Sequence, residues 1–100
     1  MALTLVITPR ANLDLEWFRI YYRDHFPEGM LKANARFEKV SRLLCEVPNM
    51  GRMAGKGARK FFSVPDTPYT IVYRPRKDYL EILRVLDQRT STYLQDLFDQ

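Results

Sequence analysis

From Arg59 onward the apolar residues stop recurring at helical spacing. They gather in three short runs rich in β-branched and aromatic side chains: Arg59–Val64, Tyr69–Arg74 and Tyr79–Leu86. Pro65-Asp66-Thr67-Pro68 and Pro75-Arg76-Lys77-Asp78 separate them. A parallel crossover needs about a dozen residues or more, so links this short join antiparallel neighbours and the three runs form a meander. Whatever precedes the meander has to cover a face of it.

The upstream half is suited to that. Leu3–Ile7 reads as a short strand. Thr8-Pro9 then supplies a hydroxyl at a helix cap and a proline at the first helical position, where no amide partner is needed. A helix is predicted from Pro9 to about His25, with Ala11, Leu15, Phe18, Tyr22 and Phe26 on one stripe. Leu13, Trp17, Ile20 and Tyr21 form a second apolar stripe roughly opposite. Phe26-Pro27-Glu28-Gly29 interrupts the pattern, and a second helix is predicted from about Met30 to Glu46 with Met30, Ala33, Phe37, Val40 and Leu44 as its buried stripe. Pro48 ends it. Residues 49–57, with three glycines, read as a loop, and Thr90–Phe98 as a short terminal helix. The expected fold is therefore α+β: a two-helix hairpin packed on a small antiparallel sheet, with a short C-terminal helix. A chain of 100 residues should form this as a single domain, residues 1–100. Phe18, Phe37, Val40, Leu44, Phe62, Ile71, Val72 and Ile82 are the expected core.

Cysteine and charge narrow the chemistry. Cys45 is the only cysteine, which excludes an internal disulfide and any cysteine-based metal cluster; its apolar setting suits a buried thiol. No metal site and no cofactor are expected. Leu3–Ile7 is too short for a signal peptide's apolar region or a membrane span, so a cytoplasmic protein with no membrane partner is the default expectation. The net charge of +4 is concentrated, since residues 47–89 hold nine Lys/Arg against four acids. Arg52, Lys56, Arg59, Lys60, Arg74, Arg84 and Arg89 form this basic set. Arginine presents a fixed fork of donors to phosphate or carboxylate, although a solvated sheet face would use the same residues. Arg59 and Arg84 stand out because each lies within a strand among apolar neighbours. The glycine-rich loop lacks the Gly-Lys-Ser/Thr of a phosphate-binding loop. His25 falls at a helix end, where a dipole contact accounts for it, and Tyr93 reads as a packing residue. The doubled apolar face of the first helix has two readings. Its second stripe packs against the second helix, or part of it awaits a partner helix.

Several segments taken together resemble the RelE/ParE toxin superfamily. They are Ile7-Thr8-Pro9-Arg10-Ala11-x-x-Asp14-Leu15, Pro48-x-x-Gly51-Arg52, Gly57-x-Arg59, Pro68-Tyr69-x-Ile71-Val72-Tyr73-Arg74 and Ile82-Leu83-Arg84-Val85-Leu86. They span residues 3–89 in order, and the details are closer to the ParE branch of plasmid stabilisation toxins than to RelE. The resemblance implies the toxin of a type II toxin–antitoxin pair. ParE toxins poison DNA gyrase and RelE toxins cleave mRNA on the ribosome. Both are neutralised by a cognate antitoxin, commonly of ribbon-helix-helix type in the ParE branch. On that view Leu13, Trp17, Ile20 and Tyr21 would bind antitoxin, with homodimerisation as a competing use, and the toxin would sit in a toxin–antitoxin hetero-oligomer. Arg52, Arg59, Lys60, Arg74, Arg84 and Arg89 would contact the gyrase target. The alternative is a RelE-like ribonuclease, in which Arg59, Arg84 and Lys56 would serve catalysis. Many relatives carry a histidine just after the last strand, where this chain has Asp87-Gln88-Arg89. That departure argues against imidazole acid–base chemistry and favours a binding protein over an enzyme.

Overall fold

The fold is seen in a computed structural model that describes residues 2–54 and 57–98. Its elements run β1 (Thr4–Ile7), α1 (Pro9–His25), α2 (Pro27–Glu46), a 3₁₀ turn (Pro48–Met50), β2 (Arg52–Met53), β3 (Lys60–Ser63), β4 (Tyr69–Pro75), β5 (Tyr79–Asp87) and α3 (Tyr93–Phe98). The Thr8 hydroxyl accepts from the Ala11 amide and donates to the Ile82 carbonyl, so the α1 cap also ties the helix start to β5. A single residue, Phe26, separates the helices. Its amide closes α1 on the Tyr22 carbonyl, and Pro27 starts α2 where a missing amide costs nothing. The second helix thus begins three residues earlier than its apolar stripe suggested. Gly29 accommodates this, because the Phe26 ring lies where any Cβ at that position would be.

The five strands are ordered β1-β5-β4-β3-β2. The meander is antiparallel, Phe61 standing opposite Val72 and Val72 opposite Arg84. Two features go beyond the sequence reading. Within the expected loop, Arg52 and Met53 form a two-residue strand against Phe61 and Lys60. At the other edge β1 pairs with β5 in parallel, Thr4 opposite Tyr79 through Ile7 opposite Ile82. The two helices between β1 and the meander provide the crossover that parallel pairing requires.

Both faces of β4 are covered. Tyr69, Ile71 and Tyr73 pack under the helices with Phe18, Tyr22, Phe37, Val40, Leu44, Leu80, Ile82 and Val85. Val72 and Leu86, on the other face, meet Ala54 and Leu97 of α3, flanked by Phe61, Leu83 and Tyr93. Phe62 is partly buried against the first cluster. Tyr73 fastens the stretch before β2. Its fully buried hydroxyl donates to the Pro48 carbonyl at 2.8 Å and accepts from the Gly51 amide at 2.9 Å. That approach leaves no room for a side chain at Gly51.

Candidate functional site

β5 carries an irregularity that organises its surroundings. Between the pairs Val72–Arg84 and Tyr73–Ile82 the register shifts by one residue, a β-bulge with Leu83 as the extra residue. Just past it, Asp14 of α1 docks on β5. Its Oδ2 accepts the Val85 amide at 2.9 Å and Arg84 Nε at 2.8 Å, and its Oδ1 accepts Arg84 Nη2 at 3.2 Å. The pair is largely shielded, with Arg84 17% and Asp14 11% exposed. Arg84 is therefore held by a bidentate carboxylate beneath α1.

Beside this pair runs a groove between α1 and the chain following β5, lined by Asp14, Trp17, Arg84, Asp87, Thr90 and Asp96 among others. Arg89 is held by Asp87, one of the lining residues. Its Nε and Nη2 each lie 2.9 Å from Asp87 oxygens, Nη1 donates to the Tyr21 hydroxyl at 3.0 Å, and the guanidinium lies 4.6 Å from the Tyr21 ring centre. The Asp87 hydrogen bonds raise the Arg89 pKa above its ordinary value. Burial raises the pKa of the nearby Tyr22 and Tyr69 phenols.

Tyr21 continues an aromatic ladder along α1. Trp17 stacks on it at 5.6 Å, nearly parallel, and His25 follows at 4.8 Å. Helical spacing of four places these rings one above the next. Leu13 and Ile20 flank the ladder at 62% and 43% exposure, and Trp17 is 50% exposed. The second stripe of α1 thus faces outward, and α2 packs on the opposite flank, where Leu15 and Arg19 share a groove with Phe37 and Ser41. His25 is exposed at the helix end.

The basic residues divide into two groups. Arg84 is held by Asp14, Arg89 by Asp87, and Arg74 by Glu81 at 3.2 Å. Arg76 shares Glu81 at 3.0 Å, and the hydrogen bonds of Arg76 and Arg74 lower the Glu81 pKa below the usual carboxylate value. The second group collects at the β2–β3 edge. Arg52 is exposed there, Arg59 precedes β3, and Lys60 has its Nζ 3.8 Å from the Met53 sulfur. Arg59 does not line the groove that holds Arg84. Arg59, expected within a strand, instead lies just before β3, and β3 is two strands from β5, a separation of about 10 Å from strand spacing alone. Lys56 lies outside the described residues.

Asp14 and Asp87, which set the two arginines, were not singled out as site residues from sequence. The available signal for Asp14 was its place in the opening Thr8-Pro9-Arg10-Ala11-x-x-Asp14 string. A chain of hydroxyls also crosses the far face, Ser63 to Thr70 at 3.1 Å and Thr70 to Tyr93 at 2.8 Å, and secures the residue that starts α3. Among the described residues no group of three or more His, Cys, Asp or Glu is placed to hold a metal, and no helix is long and apolar enough to cross a membrane.

The family model for the ParE toxin of the type II toxin–antitoxin system parDE matches residues 5–92. No curated protein matches the chain. Among solved structures, the chain is similar to one described as the chromosomal ParDE toxin–antitoxin system from P. aeruginosa. The identity is 24% and the TM-score 0.76, over 86% of this chain and 96% of that one, a likeness of fold.

Proposed function

The chain belongs to the ParE toxin family of type II toxin–antitoxin systems, and on that premise we propose that it acts by binding, gripping DNA gyrase and being silenced by a cognate antitoxin. The antitoxin lays an amphipathic helix along the outer stripe of α1, against Leu13, Trp17, Ile20 and Tyr21. Support for that surface comes from the exposure of three of these large apolar side chains on one helix of a small protein. Arg52, Arg59 and Lys60 at the β2–β3 edge are the first contacts to the target, with Arg74, Arg84 and Arg89 in supporting positions.

The observation that carries binding over cleavage is the state of Arg84. A ribonuclease would need this guanidinium for the scissile phosphate, together with groups that move protons. Here the Nε–Nη2 edge of its donor fork is taken by Asp14 in a bidentate pair, and releasing it would strip a shielded carboxylate of its nearest cation. The arginine serves the fold, and the cationic surface that remains suits an acidic protein partner.

The test uses purified toxin. Gyrase supercoiling should be blocked, or gyrase-cleaved DNA trapped, while ribosome-bound mRNA stays intact. A stoichiometric amount of the antitoxin encoded beside it should restore supercoiling. Codon-positioned cuts in ribosome-bound mRNA with gyrase unaffected would overturn the proposal.

A further inference from the structure

Residues 47–65 contain no Asp or Glu, yet they carry Arg52, Lys56, Arg59 and Lys60. Elsewhere the fold answers its arginines from within. Every arginine of α1, α2, β4 and β5 has a carboxylate in ion-pair contact. Arg52 is exposed and has no carboxylate partner among the described residues. A guanidinium is a fixed fork of donors, so an unanswered one is suited to a carboxylate or phosphate from outside.

Arg52 lines a pocket of about 500 Å³ between the 3₁₀ turn and β3, together with Met50, Gly51, Phe61, Phe62 and Ser63. The pocket is pre-formed, because the buried Tyr73 hydroxyl ties the Gly51 amide and the Pro48 carbonyl to β4. Its backbone offers a donor as well. The Val64 amide serves the Tyr69 carbonyl of β4 at 2.9 Å, and successive amides of a strand alternate, so that of Ser63 points away from β4. β2 reaches only Lys60 and Phe61, and the Ser63 amide has no protein acceptor among the described residues.

We infer that this pocket takes a short acidic segment of the target protein, with an apolar side chain seated against Met50, Phe61 and Phe62 and a neighbouring carboxylate on Arg52. The inference rests on the proposed gyrase reading and deepens it, since the toxin then grips the enzyme's polypeptide and not its DNA. Charge complementarity selects the partner: a stretch with four cations and no acid favours an acidic surface. The apolar lining supplies the anchor that such a contact needs at its centre. The same lining disfavours nucleic acid, which calls for a track of cations under successive phosphates and open ring faces under its bases. Among the described residues lining the pocket, Arg52 alone is charged. Both phenylalanine rings are partly buried, Phe61 meeting Phe98 edge-on at 6.1 Å and Phe62 packing on the core beneath the helices.

The test uses the full chain and purified gyrase free of DNA. Arg52→Gln should keep the wild-type Tm and antitoxin affinity and weaken gyrase binding about 10-fold or more. Arg52→Lys puts an amine at the same place, and a carbodiimide then joins that amine to any carboxylate in contact with it. The gyrase peptide recovered from this link should carry its Asp or Glu beside a large apolar residue. If Arg52→Gln lowers Tm, the link at position 52 decides alone. Gyrase binding unchanged in Arg52→Gln, or no link at position 52 while supercoiling is still blocked, would overturn the inference and leave the gyrase reading standing. A link to a second copy of the chain would assign the pocket to self-association and overturn it. Arg52→Gln weakening binding only when DNA is present would assign the arginine to phosphate, with the same result. A wild-type chain that neither binds gyrase nor blocks supercoiling would remove the gyrase reading and the inference together.

Discussion

One oxygen of Asp14 accepts both the Arg84 Nε–H and the Val85 amide, so a single carboxylate satisfies a guanidinium and a backbone group of β5. A residue in that position is costly to remove, because it leaves a shielded cation and a shielded amide together. Asp14→Ala should destabilise the protein by about 2–4 kcal/mol, read as a shift of the urea midpoint. A loss under about 0.5 kcal/mol would mean that the groove lets water replace the carboxylate. The same contact separates two uses of arginine that look identical in a sequence. Arg84 and Arg59 both sit among apolar neighbours, yet Arg84 is clamped within the fold and Arg59 stands near the β2–β3 edge. Charge alone could not distinguish them.

At the scale of elements, α3 covers the sheet face that the helices leave open. Leu97 is 2% exposed against Val72, Leu86 and Ala54, and Phe98 meets the Phe61 ring edge-on at 6.1 Å. A six-residue helix has no stability of its own, since a costly nucleus is followed by almost no propagation. Burial of Leu97 and the Tyr93–Thr70 hydrogen bond hold it in place. Leu97→Ala should therefore release the helix as a unit, cost about 2–3 kcal/mol and expose Val72 and Leu86 to an apolar dye. Unchanged dye binding with an intact α3 signal would show that Leu97 is not the anchor. The Tyr93–Leu94–Leu97–Phe98 spacing announced this helix, because its apolar period is local. The β1 pairing was not announced. Its apolar run predicts a strand equally well for either neighbour or direction, and the partner lies some 75 residues away.

For the molecule as a whole, the outer stripe of α1 is the surface whose role separates folding from binding. Trp17 stacks on Tyr21 and meets Phe18 edge-on, yet it remains half exposed, so Trp17→Asp should cost only about 1 kcal/mol of stability. The same change should weaken antitoxin binding 10-fold or more, as measured by calorimetry beside a thermal melt. Equal losses in both would make Trp17 an ordinary packing residue. The two apolar stripes of α1, the start set by Thr8-Pro9, and the antiparallel meander were legible in the sequence because period and punctuation are properties of neighbouring residues, whereas Pro27 read as a break and proved to be the first residue of α2. The tertiary structure alone decided which stripe is buried, that β1 closes the sheet in parallel, and that Asp14 captures an arginine 70 positions away. Those outcomes depend on packing between distant segments, where residue spacing carries no information about which groups come within hydrogen-bonding distance.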